Sequence, residues 1–297
     1  YTILLALFLA PGFVQAQEAA GAVGPTSSFP VVYKYDEKVT WYFDLSGTTF
    51  AETEDLYMWI WSPSEPDAGN FENSSDFAKL KYEGNKIWSF TLTPTVYFSK
   101  TSEEIAASAG FWFRIKSKNG SKQSDVASIA YTDFSSFYTA NELIRSYPLK
   151  PTIDKPVSIL FNSNLKDGFA GVPSVHFHSG LNNWAVSQEY QAWLPEVSEK
   201  TKLKDLGNGF YRMDLIPQEY YHTEPGFVME NITFLMVAKD WSTNCGDQII
   251  YAGEFVPPPP PVFRFFPSQI SQKDFLGISR KNNEVGVNKL MYTITAG

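Results

Sequence analysis

The chain predicts an all-β fold of two β-sandwich modules in tandem. Three observations carry that expectation: a high aromatic content, short strand-like runs without long helical periods, and a domain-sized internal repeat. Phe, Tyr and Trp make up 16% of the 297 residues, a bias toward residues that pack well on pleated sheets. Hydrophobic residues at 43% and charged residues at 19% are ordinary for a folded chain of about two domains. The net charge of -8 argues against nucleic-acid or anionic membrane partners, because either needs a basic patch to displace counterions.

The repeat is read directly. "KLKYEGNKIWSFTLTPTVYF", 79–98, lies without a gap on "KLKDLGNGFYRMDLIPQEYY", 202–221. Eight positions match, among them Gly84-Asn85 with Gly207-Asn208, where chance gives about one. Upstream, "KVTWYFD" from Lys38 meets "PVSILFN" from Pro156, and Leu56-Tyr57-Met58-Trp59 meets Val175-His176-Phe177-His178. Downstream, "FWFRIKSKNGS" from Phe111 meets "ITFLMVAKDWS" from Ile232. A period of about 120 residues is the size of a domain and too long for a solenoid unit.

Along the chain, 1–16 reads as a secretory signal clipped at its N-terminus. Its apolar run is broken by Pro11 and closed by small residues, and is too short to span a membrane. Residues 17–30 are a small-residue linker. The first module, 31–130, carries "VTWYFDL", "LYMWIW", "IWSFTL" and "FWFRIK". A linker at 131–151 follows, with "TANELIRS" as a short helix. The second module, 152–256, carries "VSILFN", "SVHFHS", "FYRMDLI" and "ITFLMVAK". Both Gly-Asn pairs stand where a hairpin needs positive φ. Strands at this spacing point to an immunoglobulin-like sandwich. A polyproline spacer at 257–261 leads to 262–297, the possible start of a further module, with strand-like ends at 262–266 and 290–295.

Chemistry is sparse. There is no nucleophile elbow, zinc-protease motif or phosphate loop, so the chain is read as a non-enzyme without a cofactor. Cys245 is alone, which excludes an internal disulfide framework. The Asn-x-Ser/Thr triplets at Asn73, Asn119 and Asn231 read as accidents of composition. His176 and His178 share a strand face, but their repeat counterparts Tyr57 and Trp59 are not a zinc pair, so both read as members of a partly exposed aromatic face. Lys116, Lys118 and Lys122 read as a solvated basic loop, and His222 as an isolated surface residue.

The stretches "SGLNNW", "GNGFYRMDLIPQEYY" and "ITFLMVAKDWS" resemble the starch- and glycogen-binding modules of the early-set immunoglobulin-like fold. In those modules a Gly-x-Asn-x-Trp-like loop and a Lys-Asp-x-Trp-like loop supply the sugar platform. The paired architecture is similar to surface proteins of bacteroidete bacteria that handle starch in Sus-type systems, or to modules appended to their amylases. The resemblance implies that Trp184 and Trp241 stack on pyranose rings while Asn183, Lys239 and Asn244 meet hydroxyls. The physical logic is that axial C–H groups lie flat on an indole and equatorial hydroxyls need polar edges.

Alternatives stay open on the sequence. The two tryptophans either form that platform or plug the ends of the core, and Trp193 reads as packing. The first module lacks both platform residues and offers Trp59 and Trp61 instead, either as a secondary surface or as packing against the next module. The leading expectation is an exported protein at the cell envelope that recruits α-glucan or a related polysaccharide, alongside other glycan-uptake proteins. Its competitors are an adhesive or spacer protein of the cell surface and the accessory region of a secreted glycoside hydrolase.

Overall fold

The computed structural model describes residues 17–67, 71–187, 192 and 194–254, together with the backbone of two short strands further on. The regular structure of the described chain is mostly β-strand, and its α-helices have four or five residues each. No helix among the described residues is long and apolar enough to cross a membrane.

The first half opens with β1 (Glu18–Gly21), β2 (Thr26–Phe29), β3 (Val39–Asp44) and β4 (Leu56–Ser62). It continues with β5 (Lys81–Gly84), β6 (Ile87–Leu92), the helices α1 (Pro94–Phe98) and α2 (Ser102–Ala106), β7 (Phe111–Ser117), β8 (Lys122–Ser124) and β9 (Ala127–Ile129). One sheet runs β2-β3-β6-β5 and the other β1-β8-β7-β4, with β9 also paired to β7. Alternation decides which faces meet. In β3 every second residue is buried, and Trp41 and Phe43 reach Phe111 and Phe113 of the facing sheet at 5.0 and 5.2 Å between ring centroids. Each such side chain, fully removed from water, contributes roughly 1.5–3 kcal/mol.

The second half follows α3 (Ser136–Thr139). It contains β10 (Ile144–Tyr147), β11 (Val157–Asn162), β12 (Val175–Leu181), α4 (Ser198–Thr201), β13 (Lys204–Gly207), β14 (Phe210–Leu215), α5 (Pro217–Tyr220), β15 (Asn231–Ala238) and β16 (Gln248–Tyr251). Its sheets run β10-β11-β14-β13 and β12-β15-β16. Ile159, Phe161 and Met213 of the first join Phe177, Phe234 and Met236 of the second in one buried cluster.

Positions aligned by sequence occupy like places in the two ladders. Val39 pairs with Leu92 as Val157 pairs with Leu215, and the isolated bridge Tyr57–Lys79 has its counterpart in His176–Lys202. Both hairpins turn through left-handed residues: Gly84, Asn85 and Lys86 at φ 101°, 52° and 62°, and Gly207, Asn208 and Gly209 at 88°, 53° and 79°. Only glycine, and more weakly asparagine, takes that conformation cheaply, which explains the Gly-Asn pairs.

Three expectations need correction. The 17–30 stretch is not a linker: β1 runs parallel to β8, and β2 pairs with β3. Its small side chains allow close approach, since a Cβ on Gly21 would stand 3.0 Å from the Gly47 carbonyl oxygen. In 131–151 the helix lies earlier than "TANELIRS", and Ile144–Tyr147 is an edge strand of the second half. The basic cluster is a solvated loop only at Lys118, which is exposed on the turn after β7 and paired with Asp76. Lys116 is fully buried, and Lys122 is largely covered and paired with Glu18 and Glu54.

The halves meet in a packed seam. Val32, Phe134, Phe137, Leu160, Leu206 and Phe210 form its apolar part. Beside them buried Arg212 donates to Glu37 and to Asp214, each at 2.8 Å, and the Val31 amide donates to Ser158 Oγ. Burial alone would raise the Glu37 carboxyl, but Arg212 and Lys204 outweigh it and hold the group below its ordinary range. Beyond the second half Phe263–Phe266 pairs antiparallel with Gly277–Arg280. The leader expected at 1–16, Trp193, the prolines at 257–261 and the strand expected at 290–295 lie outside the described residues.

Candidate functional site

The site is built on the outward face of the β12-β15-β16 sheet. Phe177, Phe234 and Ile250 point into the core, so His176, His178 and Gly180 on β12 face outward, opposite Val237, Leu235 and Thr233 on β15. His178 is the centre. The Trp184 ring lies 5.1 Å from it at 35°, and the Trp241 ring lies 5.0 Å from it at 78°. The two indoles come from different loops and meet on one histidine. Trp184 is half-buried and Trp241 is 36% exposed, so neither is a plug inside the sandwich.

Backbone strain holds both rings in place. Asn182, Asn183 and Trp184 take positive φ in succession, at 51°, 54° and 70°, and Trp241 does so at 60°. A bulky residue there costs of order 1–3 kcal/mol and persists only where its surroundings dictate it. Asparagines do the dictating at the first turn. Asn182 accepts the Glu230 amide at 2.8 Å and donates to the Val228 carbonyl at 2.9 Å, while the Asn183 amide donates to Asn231 Oδ1 at 3.1 Å. At the second turn Asp240 Oδ1 accepts both the amide and the hydroxyl of Ser242. Those bonds hold the Asp240 carboxyl below its ordinary range.

Gly180 answers why a glycine stands beside the aromatics. A Cβ there would lie 3.1 Å from Trp184 Cε3 and 2.9 Å from the Val186 carbonyl oxygen, so the indole needs bare backbone to rest on. The polar residues expected at the site are spread along its rim. Asn183 is exposed beside Trp184, with its Oδ1 3.4 Å from Asn231 Nδ2. Lys239 is exposed toward His176, whose protonation its charge disfavours. Asn244 is exposed, but its Oδ1 is occupied by the Gly246 amide at 2.9 Å. The indoles and Asn183 are brought together, whereas Lys239 and Asn244 border the Trp241 turn.

Both strand histidines are buried, not partly exposed. His176 is held between the Ser174 hydroxyl at 2.8 Å and the Thr201 hydroxyl at 3.1 Å. Burial lowers the pKa of each histidine, and for His178 the charge of Asp247 opposes that only in part. No group of three metal-ligating side chains occurs among the described residues. Sequence reasoning missed His178 as the ring that joins the tryptophans and Asn231 as the clamp of their turn. The one available signal was the outward alternation of His176, His178 and Gly180.

The corresponding face of the first half has a different occupant. Trp59 packs edge-on to Trp61 at 5.7 Å and to Phe71 at 5.8 Å, and its Nε1 donates to Glu65 at 2.8 Å. Neither tryptophan is among the residues of the apolar seam between the halves. No protein-family model matches the chain and no curated protein matches it significantly, so the site is defined by its own residues.

Proposed function

We propose that this chain is an exported, non-catalytic carbohydrate-binding protein of two immunoglobulin-like sandwich copies, and that the Trp184–His178–Trp241 face takes α-glucan or a related polysaccharide. The observation that carries the reading is that two indoles from separate turns converge on one outward sheet face, each about 5 Å from His178. A pyranose presents apolar C–H groups to such rings, and hydroxyls at its edge meet the exposed amides of Asn183 and Asn244 and the ammonium of Lys239. Strained turns that hold bulky rings at the surface are a device for binding rather than for core packing. The matched ladder pairs and hairpins of the two halves support a tandem duplication. The apolar run at 1–16 supports export, and the reading extends to neighbouring envelope proteins that handle the same glycan.

Affinity electrophoresis through gels containing starch, glycogen and unrelated polysaccharides tests the reading. Trp184→Ala and Trp241→Ala are each expected to weaken retardation by roughly 1–3 kcal/mol, the scale of one lost aromatic stack. Wild-type protein that migrates freely through every gel removes the proposal and leaves the spacer role in its place.

A further inference from the structure

The aromatic face continues past Trp184. Asn231, which clamps the left-handed turn, opens β15, and its ladder partner on the next strand is Tyr251. Ile250 enters the core, so its neighbours Ile249 and Tyr251 point outward, on the same side as His178 and Gly180. Tyr251 is 66% exposed and Ile249 is 45% exposed. The Tyr251 side chain makes no ring contact or hydrogen bond among the described residues. Its strand is the edge of the sheet, and "QIIY" carries no charge there. Edges are usually guarded by lysine, proline or a bulge, so an aromatic held in water on an edge that no described residue covers calls for an occupant.

Distances along the sheet set the size of that occupant. From the His178 row to the Asn182 row is four residues, about 14 Å at the usual strand rise, and β12 to β16 is two strand spacings, about 10 Å. The exposed Asn183 amide, 3.4 Å from Asn231 on the row of Tyr251, lies by the path from Trp184 to Tyr251 and suits hydroxyls better than an apolar partner. We infer that Tyr251 is the far stacking position of the Trp184–Trp241 site, so that the ligand is a chain of several sugars lying diagonally across β12, β15 and β16 rather than a mono- or disaccharide. This rests on the carbohydrate reading proposed above.

Titration calorimetry of the full chain with linear α-1,4- and β-1,4-linked gluco-oligosaccharides, from disaccharide to heptasaccharide, separates the two ideas. The wild type should gain affinity at the chain length that reaches Tyr251. Tyr251→Ala should lack that gain, binding the heptasaccharide about tenfold more weakly, as expected for one lost stack. Tyr251→Phe should keep it, and Trp184→Ala should weaken every length. Unchanged melting temperatures of the tyrosine variants confirm that the exposed edge is not needed for folding. If Tyr251→Ala follows the wild type at every length while Trp184→Ala does not, the far position is wrong and the carbohydrate reading stands. Equal weakening at all lengths also overturns a separate far position. A wild type that binds none of the sugars removes both.

Discussion

The two outward faces, β4·β7 in the first half and β12·β15 in the second, share a ladder and differ in chemistry. Trp59 stands opposite Arg114 and Tyr57 opposite Lys116, where the second half has His178 opposite Leu235 and His176 opposite Val237. In the first half a cation lies across from each aromatic, and the indole is tied to Glu65. In the second half the row across is apolar, and the rings arrive from turns. Two residues further along, the first half has Trp61 on its strand while the second has Gly180 with Trp184 laid over it. An indole delivered by a strand is fixed by its neighbours in the ladder, whereas one delivered by a turn rests on the sheet without being part of it. The strand pairing of the two faces matches, and they differ in what covers them.

Exchanging the two rows is the strongest way to break this comparison. Lys116 is accommodated because its ammonium reaches the carbonyls of Ser117 and Lys118, at 3.4 and 3.2 Å, with the charge of Asp67 nearby. Even so, burial pushes its pKa down to about 8. Val237 occupies the matching place, fully buried, and the cations Lys202 and Lys239 already act on its ladder partner His176. Val237→Lys is therefore expected to destabilise the protein by about 3–5 kcal/mol, the cost of an uncompensated buried charge, as read by urea denaturation. A loss below about 1 kcal/mol, the usual scale of a surface charge change, would mean that the two rows are interchangeable.

Gly180→Ala sharpens the contrast at smaller cost. The new methyl would meet the Val186 carbonyl and the Trp184 ring at distances that force a shift. Overpacking of this kind costs about 1–3 kcal/mol, and here the movement should appear as lost polysaccharide retardation and a changed tryptophan emission. Trp61→Ala, at the matching place in the first half, should leave retardation unchanged. Equal losses from both variants would show that the first half shares in binding.

Much of the scaffold was legible and little of the face was. The eight long strands follow from short aromatic and β-branched runs bounded by turn residues, and the hairpins from Gly-Asn pairs, because both are set by local chain geometry. β1 and β2 were illegible because Ala, Gly, Ser and Thr carry no strand pattern, and their pairing with β8 and β3 is long-range. The burial of Lys116 was hidden because a lysine between strand residues reads as exposed until the chain around it is known. Trp184 and Trp241 stood out as residues beside amides, but their meeting on His178 depends on three left-handed residues in a row, which no propensity favours.

The smallest expected effect is a difference in response to acid. His176 and His178 have no histidine counterparts in the first half, where Tyr57 and Trp59 stand at their places. Burial holds both histidines below the ordinary value of 6.5; the charge of Asp247 resists this at His178, that of Glu199 resists it at His176, and those of Lys239 and Lys202 add to it there. A histidine whose pKa is depressed in the folded protein binds fewer protons than in the unfolded chain over that interval, so stability rises with pH across it. Stability is thus complete above about 6.5 and declines as pH falls toward the folded values. The matching loss at Glu37, whose folded pKa is also lowered, begins only below the ordinary carboxylate value of 4.5. Melting temperatures followed from neutrality to about pH 5 cover the histidine interval, and His176→Gln combined with His178→Gln should remove the decline that the histidines cause there. A wild-type profile already flat over that interval would mean that neither histidine is held neutral, and the buried ring joining the two tryptophans would lose its physical basis.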